Sequence, residues 1–278
     1  MVAGPVEPPP AITRFCLDGA RAPRASRAHV IGVSGPQGGG KSTLTARLVT
    51  AMGSAGLRAA TVSIDDFYLT HAEQRDLAAR HPGDRCLEHR GYPGTHDVAL
   101  GDRVLGALAS QRTGSVAVPS YDKSAHGGRG DRASAEVLVE APLDVVLVEG
   151  WMLGFRALPR DECPLPLRAS NDHLPAYERW HARLDAFVHL VAGDPAWIVD
   201  YRVDAERARR AAGQPALSDD EARDYIERFL PAYEAYVPPL VAAPPCARWL
   251  RVTIGPDRGI VSIVGSGSDD GGGRSAGG

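Results

Sequence analysis

The chain has 278 residues, enough for one large α/β domain or two small ones, and its 44 % hydrophobic content is that of an ordinary globular protein with a buried core. Its 31 basic and 34 acidic residues leave a formal net charge of −3, which argues against a nucleic-acid partner, since such proteins usually carry a basic face. No apolar run approaches the roughly 18 residues of a membrane helix, no apolar stretch follows the N-terminal charges, and Cys16, Cys86, Cys163 and Cys246 lie far apart with no C-x-x-C pair. The expectation is a cytoplasmic chain with reduced thiols and no membrane partner.

In chain order, residues 1–28 hold Pro5, Pro8, Pro9 and Pro10 and read as a poorly ordered extension, with a possible short helix in the later part. Apolar, β-branched runs then alternate with helical patterns, the signature of a parallel sheet covered by helices. Strands are expected at Val30–Val33, Ala59–Ile64, Val145–Val148, Phe187–Val191, Leu250–Ile254 and Ile260–Val264. Helices are expected at Ser42–Met52, Val98–Gln111, Ala176–Leu184, Ala205–Ala212 and Asp219–Tyr236. The last opens on a Ser218/Glu221 capping box and should be kinked at Pro231. Residues 265–278 are half glycine and read as a flexible tail.

Five segments carry chemistry. Gly35-Pro36-Gln37-Gly38-Gly39-Gly40-Lys41-Ser42-Thr43 lies between a strand and a helix and matches G-x-x-x-x-G-K-[ST], a phosphate-binding loop. Its amides and the following helix N-terminus suit the phosphates of ATP; Lys41 should reach the β- and γ-phosphates and Ser42 should ligate Mg²⁺. Asp65 and Asp66 stand where the second strand ends, the edge at which α/β sheets bind ligands, and one of them could take the proton of an attacking hydroxyl. Glu149 ends the apolar run from Leu143 as a Walker B acid does, close to Mg²⁺. Between these strands lie two polar segments, Arg90 to Asp97 with His96, and Tyr121 to Arg132 with Lys123, His126 and Arg129. Solvated loops often look like this. Yet Lys41 and Lys123 are the only lysines beside 29 arginines, so each marks a place where a compact ammonium is needed. Finally, Tyr201 to Arg210 is dense in arginine; such a helix is usually a solvated face, but here Arg202 or Arg207 is a candidate to close over the phosphates.

Together GPQGGGKST, SIDDFYLT, RGYPGTHD, YDKSAHGGRGDR, VVLVEGWMLGF, WHARLD and FLPAYEAYVPPL resemble the D-glycerate 3-kinase family of P-loop kinases, in family order from about residue 29 to 264. The resemblance implies a single kinase domain over 29–264, a three-layer P-loop sandwich with a parallel five-stranded core, and a helical lid at about 198–217. By similarity to uridine kinase it gives Asp65 the place of the catalytic base, and Tyr121 and His126 a place beside the acceptor. The lid departs from the family's usual W-R-x-Q-A-E, reading Tyr201-Arg202-Val203-Asp204-Ala205-Glu206. D-glycerate is the leading acceptor, its carboxylate suited to Arg90, Lys123, Arg129 or Arg132. A nucleoside or sugar-derived polyol kinase, and a P-loop switch or metal-delivery GTPase, stand as alternatives. Against the second of these, the sequence holds no N-K-x-D motif and no metal-binding Cys or His cluster.

Overall fold

The computed structural model describes residues 8–21 and 27–266. Its frame is a six-stranded sheet built from β1 (His29–Ser34), β2 (Ala59–Ser63), β7 (Val145–Gly150), β8 (Ala186–Ala192), β9 (Trp249–Ile254) and β10 (Ile260–Gly265), in the order β10-β9-β8-β1-β7-β2. The first five named run parallel and β10 returns antiparallel on the edge. β1 and β7 are buried at all six positions, as strands covered on both faces must be. Their side chains alternate between layers. Val30, Val146 and Val148 join the core with Trp151, Phe155 and Trp180, whereas Ile31, Val33, Val145 and Leu147 join Leu44, Leu48 and Met52 on the opposite face.

Among the described residues the longer helices are α1 (Pro10–Arg21), α2 (Lys41–Ser54), α3 (His71–Arg80), α4 (Val98–Ser110), α5 (Trp197–Ala211), α6 (Asp219–Glu227) and α7 (Leu230–Ala242). Two small hairpins complete it, β3 (Ser115–Val118) with β6 (Val137–Glu140), and β4 (Tyr121–Asp122) with β5 (Asp131–Arg132).

Several sequence expectations change. Most of the described part of the 1–28 extension is α1, which docks through Ile12 and Cys16, buried at 1 % and 0 % exposure. Pro10 opens that helix at its first position, where a missing N–H costs nothing. Burial of Cys16 pushes its thiol up to about 12, so it is an inert core residue. The expected Ala176–Leu184 helix is a 3₁₀ turn (Leu174–Tyr177) followed by one α-turn (Glu178–His181). The expected Asp219–Tyr236 helix is two: Pro231 lies in the first turn of α7 and starts a helix rather than kinking one. The Ser218/Glu221 capping box is present. The helix expected at Ala205–Ala212, the candidate lid, begins earlier, at Trp197. At the C-terminus the tail boundary moves, because Gly265 pairs with Leu250 and the Ser266 amide donates to Trp249 O at 2.9 Å; residues 267–278 lie outside the described residues.

Candidate active site

The phosphate-binding loop follows from β1 directly. The strand ends at Ser34, and α2 starts at Lys41 behind a left-handed Gly40 that offers no side-chain cap, so the first helix amides face the loop. Lys41 is 9 % exposed, and its Nζ donates to Gly35 O at 2.9 Å and Pro36 O at 3.0 Å. Burial lowers its pKa, against the pull of the Glu149 and Asp65 carboxylates. Glu149 sits level with Val33 in the β1–β7 register, and its Oε1 accepts from Ser42 Oγ at 3.0 Å. A hydroxyl and a carboxylate at that spacing suit a hard, hydrated divalent cation, which takes few protein oxygens and keeps waters and phosphates as its remaining ligands. The Gln37 amide donates to Tyr233 Oη at 2.9 Å, the Gly39 amide closes the loop onto Pro36 O at 3.0 Å, and Thr43 is exposed in the first turn of α2.

Asp65 and Asp66 differ in environment. β2 stops at Ser63, one residue before the expected end, and both carboxylates lie on a 3₁₀ turn (Ile64–Phe67). Asp66 is the return half of a capping box, its Oδ2 accepting from the Ser63 amide at 3.4 Å, and burial pushes its carboxyl up to about 6. Asp65 instead meets Lys123, Oδ2 to Nζ 2.6 Å. Burial alone would raise Asp65, but the Lys123 ammonium, then His96 and the Tyr68 hydroxyl, bring it down to about 2. Tyr68 stacks on His96 with centroids 4.4 Å apart, and His96 Nδ1 lies 2.8 Å from Tyr177 Oη. Burial takes the imidazole down to about 4, so His96 is neutral at pH 7.

The other polar candidates divide by what they hold. Arg90 donates to Gly128 O at 2.9 Å, to Arg129 O and to Lys123 O at 3.2 Å, and lies 5.5 Å over the Tyr121 ring. It shapes the 121–132 loop and so sets where Lys123 stands. Asp97 caps α4 at the Leu100 amide (2.9 Å), and Arg132 reaches both Asp97 (3.7 Å) and Tyr68 O (3.1 Å). His126 turns outward, stacked on His71 at 3.9 Å and 3.0 Å from Asp131, and Arg129 is exposed. The structure thus brings Lys41, Ser42, Glu149, Asp65 and Lys123 together, with His96 and Tyr121 behind Tyr68, and turns His126 and Arg129 away.

The two lid arginines separate in the same manner. Arg202 pairs with the buried Glu206 at 2.5 Å, lies 4.6 Å over the Tyr225 ring, and its charge acts on Lys41. Arg207 is 56 % exposed and bound to Asp219 at 2.5 Å on the outer face. Four more residues lie beside these: Tyr68 and Tyr233, inside quoted blocks but not singled out there, and Tyr225 and Arg258, outside any block. Arg258, in the β9–β10 turn, donates from Nε to Gly38 O at 2.8 Å and from Nη2 to Tyr201 O at 2.9 Å. Gly38 has φ 75°, and a Cβ there would stand 2.3 Å from Tyr201 O, so lid and phosphate loop touch through backbone. The two lid positions that depart from the family pattern both meet this hairpin. Tyr201 Oη donates to Gly255 O at 2.5 Å, and Asp204 lies 3.5 Å from Arg258. Arg258→Met should therefore raise the KM for ATP and lower kcat, each by about tenfold, because two charge-assisted hydrogen bonds are worth about 1.5–3 kcal/mol apiece and only part is felt in the loop geometry. Initial-rate kinetics with varied ATP check this; an unchanged KM would show that the bridge is idle.

Residues 15–69 match the family described as methylmalonyl Co-A mutase-associated GTPase MeaB. That match covers the P-loop, α2 and β2 and stops before the Arg90–Asp97, Tyr121–Arg132 and Tyr201–Arg210 segments. Over 224 residues the chain is 43 % identical to a protein of Arabidopsis thaliana named D-glycerate 3-kinase, chloroplastic, covering 78 % of this chain and 49 % of that protein, so it spans about half of that relative's length. It is 36 % identical over 228 residues to the kinase mug58 of Schizosaccharomyces pombe, covering 76 % of this chain and 82 % of the relative. The solved D-glycerate 3-kinase of Cryptococcus neoformans superposes with a TM-score of 0.81 at 29 % identity, covering 92 % of this chain and 98 % of the other. With these relatives and a P-loop in place, the chain belongs to the D-glycerate 3-kinase family of P-loop kinases.

Proposed function

We propose that this chain transfers the γ-phosphoryl group of ATP to a hydroxyl of D-glycerate, with Mg²⁺ held by Ser42 and Glu149. The observation that carries this reading is the Asp65 carboxylate, fixed by Lys123 at the end of β2, on the same sheet edge as Lys41 and the Ser42–Glu149 pair. Asp65 accepts a hydrogen bond from the acceptor hydroxyl and aims its oxygen at the γ-phosphorus. The new O–P bond forms as the bond from the γ-phosphorus to the β–γ bridging oxygen breaks, ADP leaves, and the hydroxyl proton passes to Asp65. A carboxyl held near 2 is a weak base. Its role is orientation first and proton acceptance late, as suits a loose transition state. Lys41 and Arg202 offset charge on the transferred group, and the cation, when bound, neutralises the β- and γ-oxygens.

The test is a panel of acceptors with ATP and Mg²⁺: D- and L-glycerate, other small hydroxy acids, nucleosides, sugars and polyols. D-glycerate should give the highest kcat/KM, and chelating the metal should abolish turnover. A nucleoside preferred in direct competition would replace glycerate as the acceptor. GTP-selective hydrolysis without any acceptor would make the protein a nucleotide switch.

A further inference from the structure

The acceptor site is rimmed by cations, and most of them already have a partner. Lys123 holds Asp65, Arg202 holds Glu206, Arg132 holds Asp97, and Arg90 is spent on three backbone carbonyls. Arg228 differs. It is half-buried at the junction of α6 and α7 and has no carboxylate within ion-pair distance among the described residues; its Nε, like those of Arg132 and Arg202, is buried without a hydrogen-bond partner. Such a group carries a standing desolvation cost unless something meets it.

Its position is fixed against the Arg90–Asp97 loop. The Arg228 carbonyl accepts from Tyr92 Oη, and the next residue, Phe229, stacks on Tyr92 at 5.1 Å with planes 11° apart. Gly91 has φ 141°, and a Cβ there would lie 2.8 Å from the Phe229 ring, so the Arg90–Asp97 loop and the helix junction close directly on each other. The Arg228 guanidinium stands 5.1 Å from the centroid of Tyr225, the ring that also carries Arg202. Tyr225 in turn acts electrostatically on Tyr68 and Lys123, the two side chains bound to Asp65. Arg228 also acts on His89, as Arg129 and Arg90 do; Arg90 in turn lies over Tyr121, itself 5.2 Å from Tyr68.

We propose that Arg228 is the anion-binding and specificity-determining residue of the acceptor site: its guanidinium, resting on the Tyr225 ring, receives the carboxylate of a small hydroxy acid whose hydroxyl lies against Asp65. The proposal rests on the hydroxy-acid reading of the preceding subsection and supplies what that reading lacks, a charged donor not already committed inside the protein. A planar fork that binds a carboxylate through two parallel hydrogen bonds favours the acid over its neutral analogues.

The experiment compares D-glycerate with its amide in the full-length wild type, Arg228→Gln and Arg228→Lys, with ATP affinity and melting temperature measured for each. The amide is read by turnover or, where that is slow, by inhibition. Arg228→Gln should raise the KM for glycerate by about 10²-fold, the scale on which charge-assisted hydrogen bonds and polar specificity operate. It should leave the constant for the amide within about twofold. Arg228→Lys should recover part of the loss for the acid alone. Equal losses for acid and amide, or no change for either, would overturn the role. Should the Gln variant fail to fold, the same acid-to-amide contrast in the Lys variant decides. The acceptor panel separates this failure from that of the glycerate reading. If wild type prefers another hydroxy acid, glycerate falls and Arg228 is judged on that acid and its amide; if it prefers a neutral acceptor, both fall.

Discussion

Lys41→Ala should lower kcat by about 10³-fold or more while the melting temperature stays within a few degrees, because this ammonium acts on charge that develops during phosphoryl transfer. The side chain is 9 % exposed and its Nζ rests on Gly35 O and Pro36 O, so the loop offers room for a compact three-donor head and little else. Lys41→Arg should fare within about tenfold of the Ala variant, since a planar guanidinium cannot occupy that pocket without displacing loop backbone. The same reasoning bears on composition: a chain with 29 arginines keeps only two lysines, and these two stand at the phosphate loop and on Asp65. Single-turnover assays with ATP binding measured in parallel check the result. An Arg variant with near-normal rate would remove both the role and the reading of the retained lysines.

What the sequence disclosed and what it concealed follow from the range of the interactions. The P-loop, the β1 and β7 strands and the Ser218 cap are local patterns, set by residues within a few positions of one another. Asp65, Lys123 and Glu149 could be picked out because each lies in a short block with its own composition, even though Asp65 and Lys123 meet across 58 positions. Arg258, Arg228 and Tyr225 have no such block. Arg258 reaches Gly38 across 220 residues, and Arg228 is one arginine among many on polar helices; only the fold shows that it rests on Tyr225 with no carboxylate at ion-pair distance among the described residues. The α1 helix is expected only in the later part of the proline-rich extension; it starts earlier, at Pro10, and Ile12, Cys16 and Gly19 recur at helical spacing on its buried face. The β3–β6 hairpin was missed because β6 leaves Val137 and Leu138 exposed, at 56 % and 66 %, and so gives no buried-strand alternation. Among the described residues no helix is long and apolar enough to cross a membrane, which agrees with the absence of a long apolar run.

Asp65→Asn should lower kcat by about 10²–10⁴-fold, the range of a positioned general base, with ATP affinity little changed because the loop amides and Lys41 hold the phosphates. Asp66→Asn should cost much less. The reason is not the alternation of faces along a strand, since both residues lie on a 3₁₀ turn; it is that Asp66 is occupied as the cap of that turn while Asp65 is free to face the acceptor beside Lys123. Their pH dependence should differ in sign. Asp66 is raised from 3.8 to about 6, so the folded state binds the extra proton and this residue's contribution to stability falls as pH rises from about 4 to 6; Asp66→Asn should flatten that slope. Asp65 is lowered from 3.8 to about 2, so its contribution is present above pH 4 and is lost as pH falls through that interval. The Asp65→Asn variant also leaves Lys123 without its carboxylate, which could by itself disturb the site. Lys123→Met combined with Asp65→Asn separates the two effects. If the double variant stays within a few-fold of Asp65→Asn, the missing carboxylate is the cause; recovery of the rate would show that the freed ammonium was, and would take Asp65 out of the chemistry.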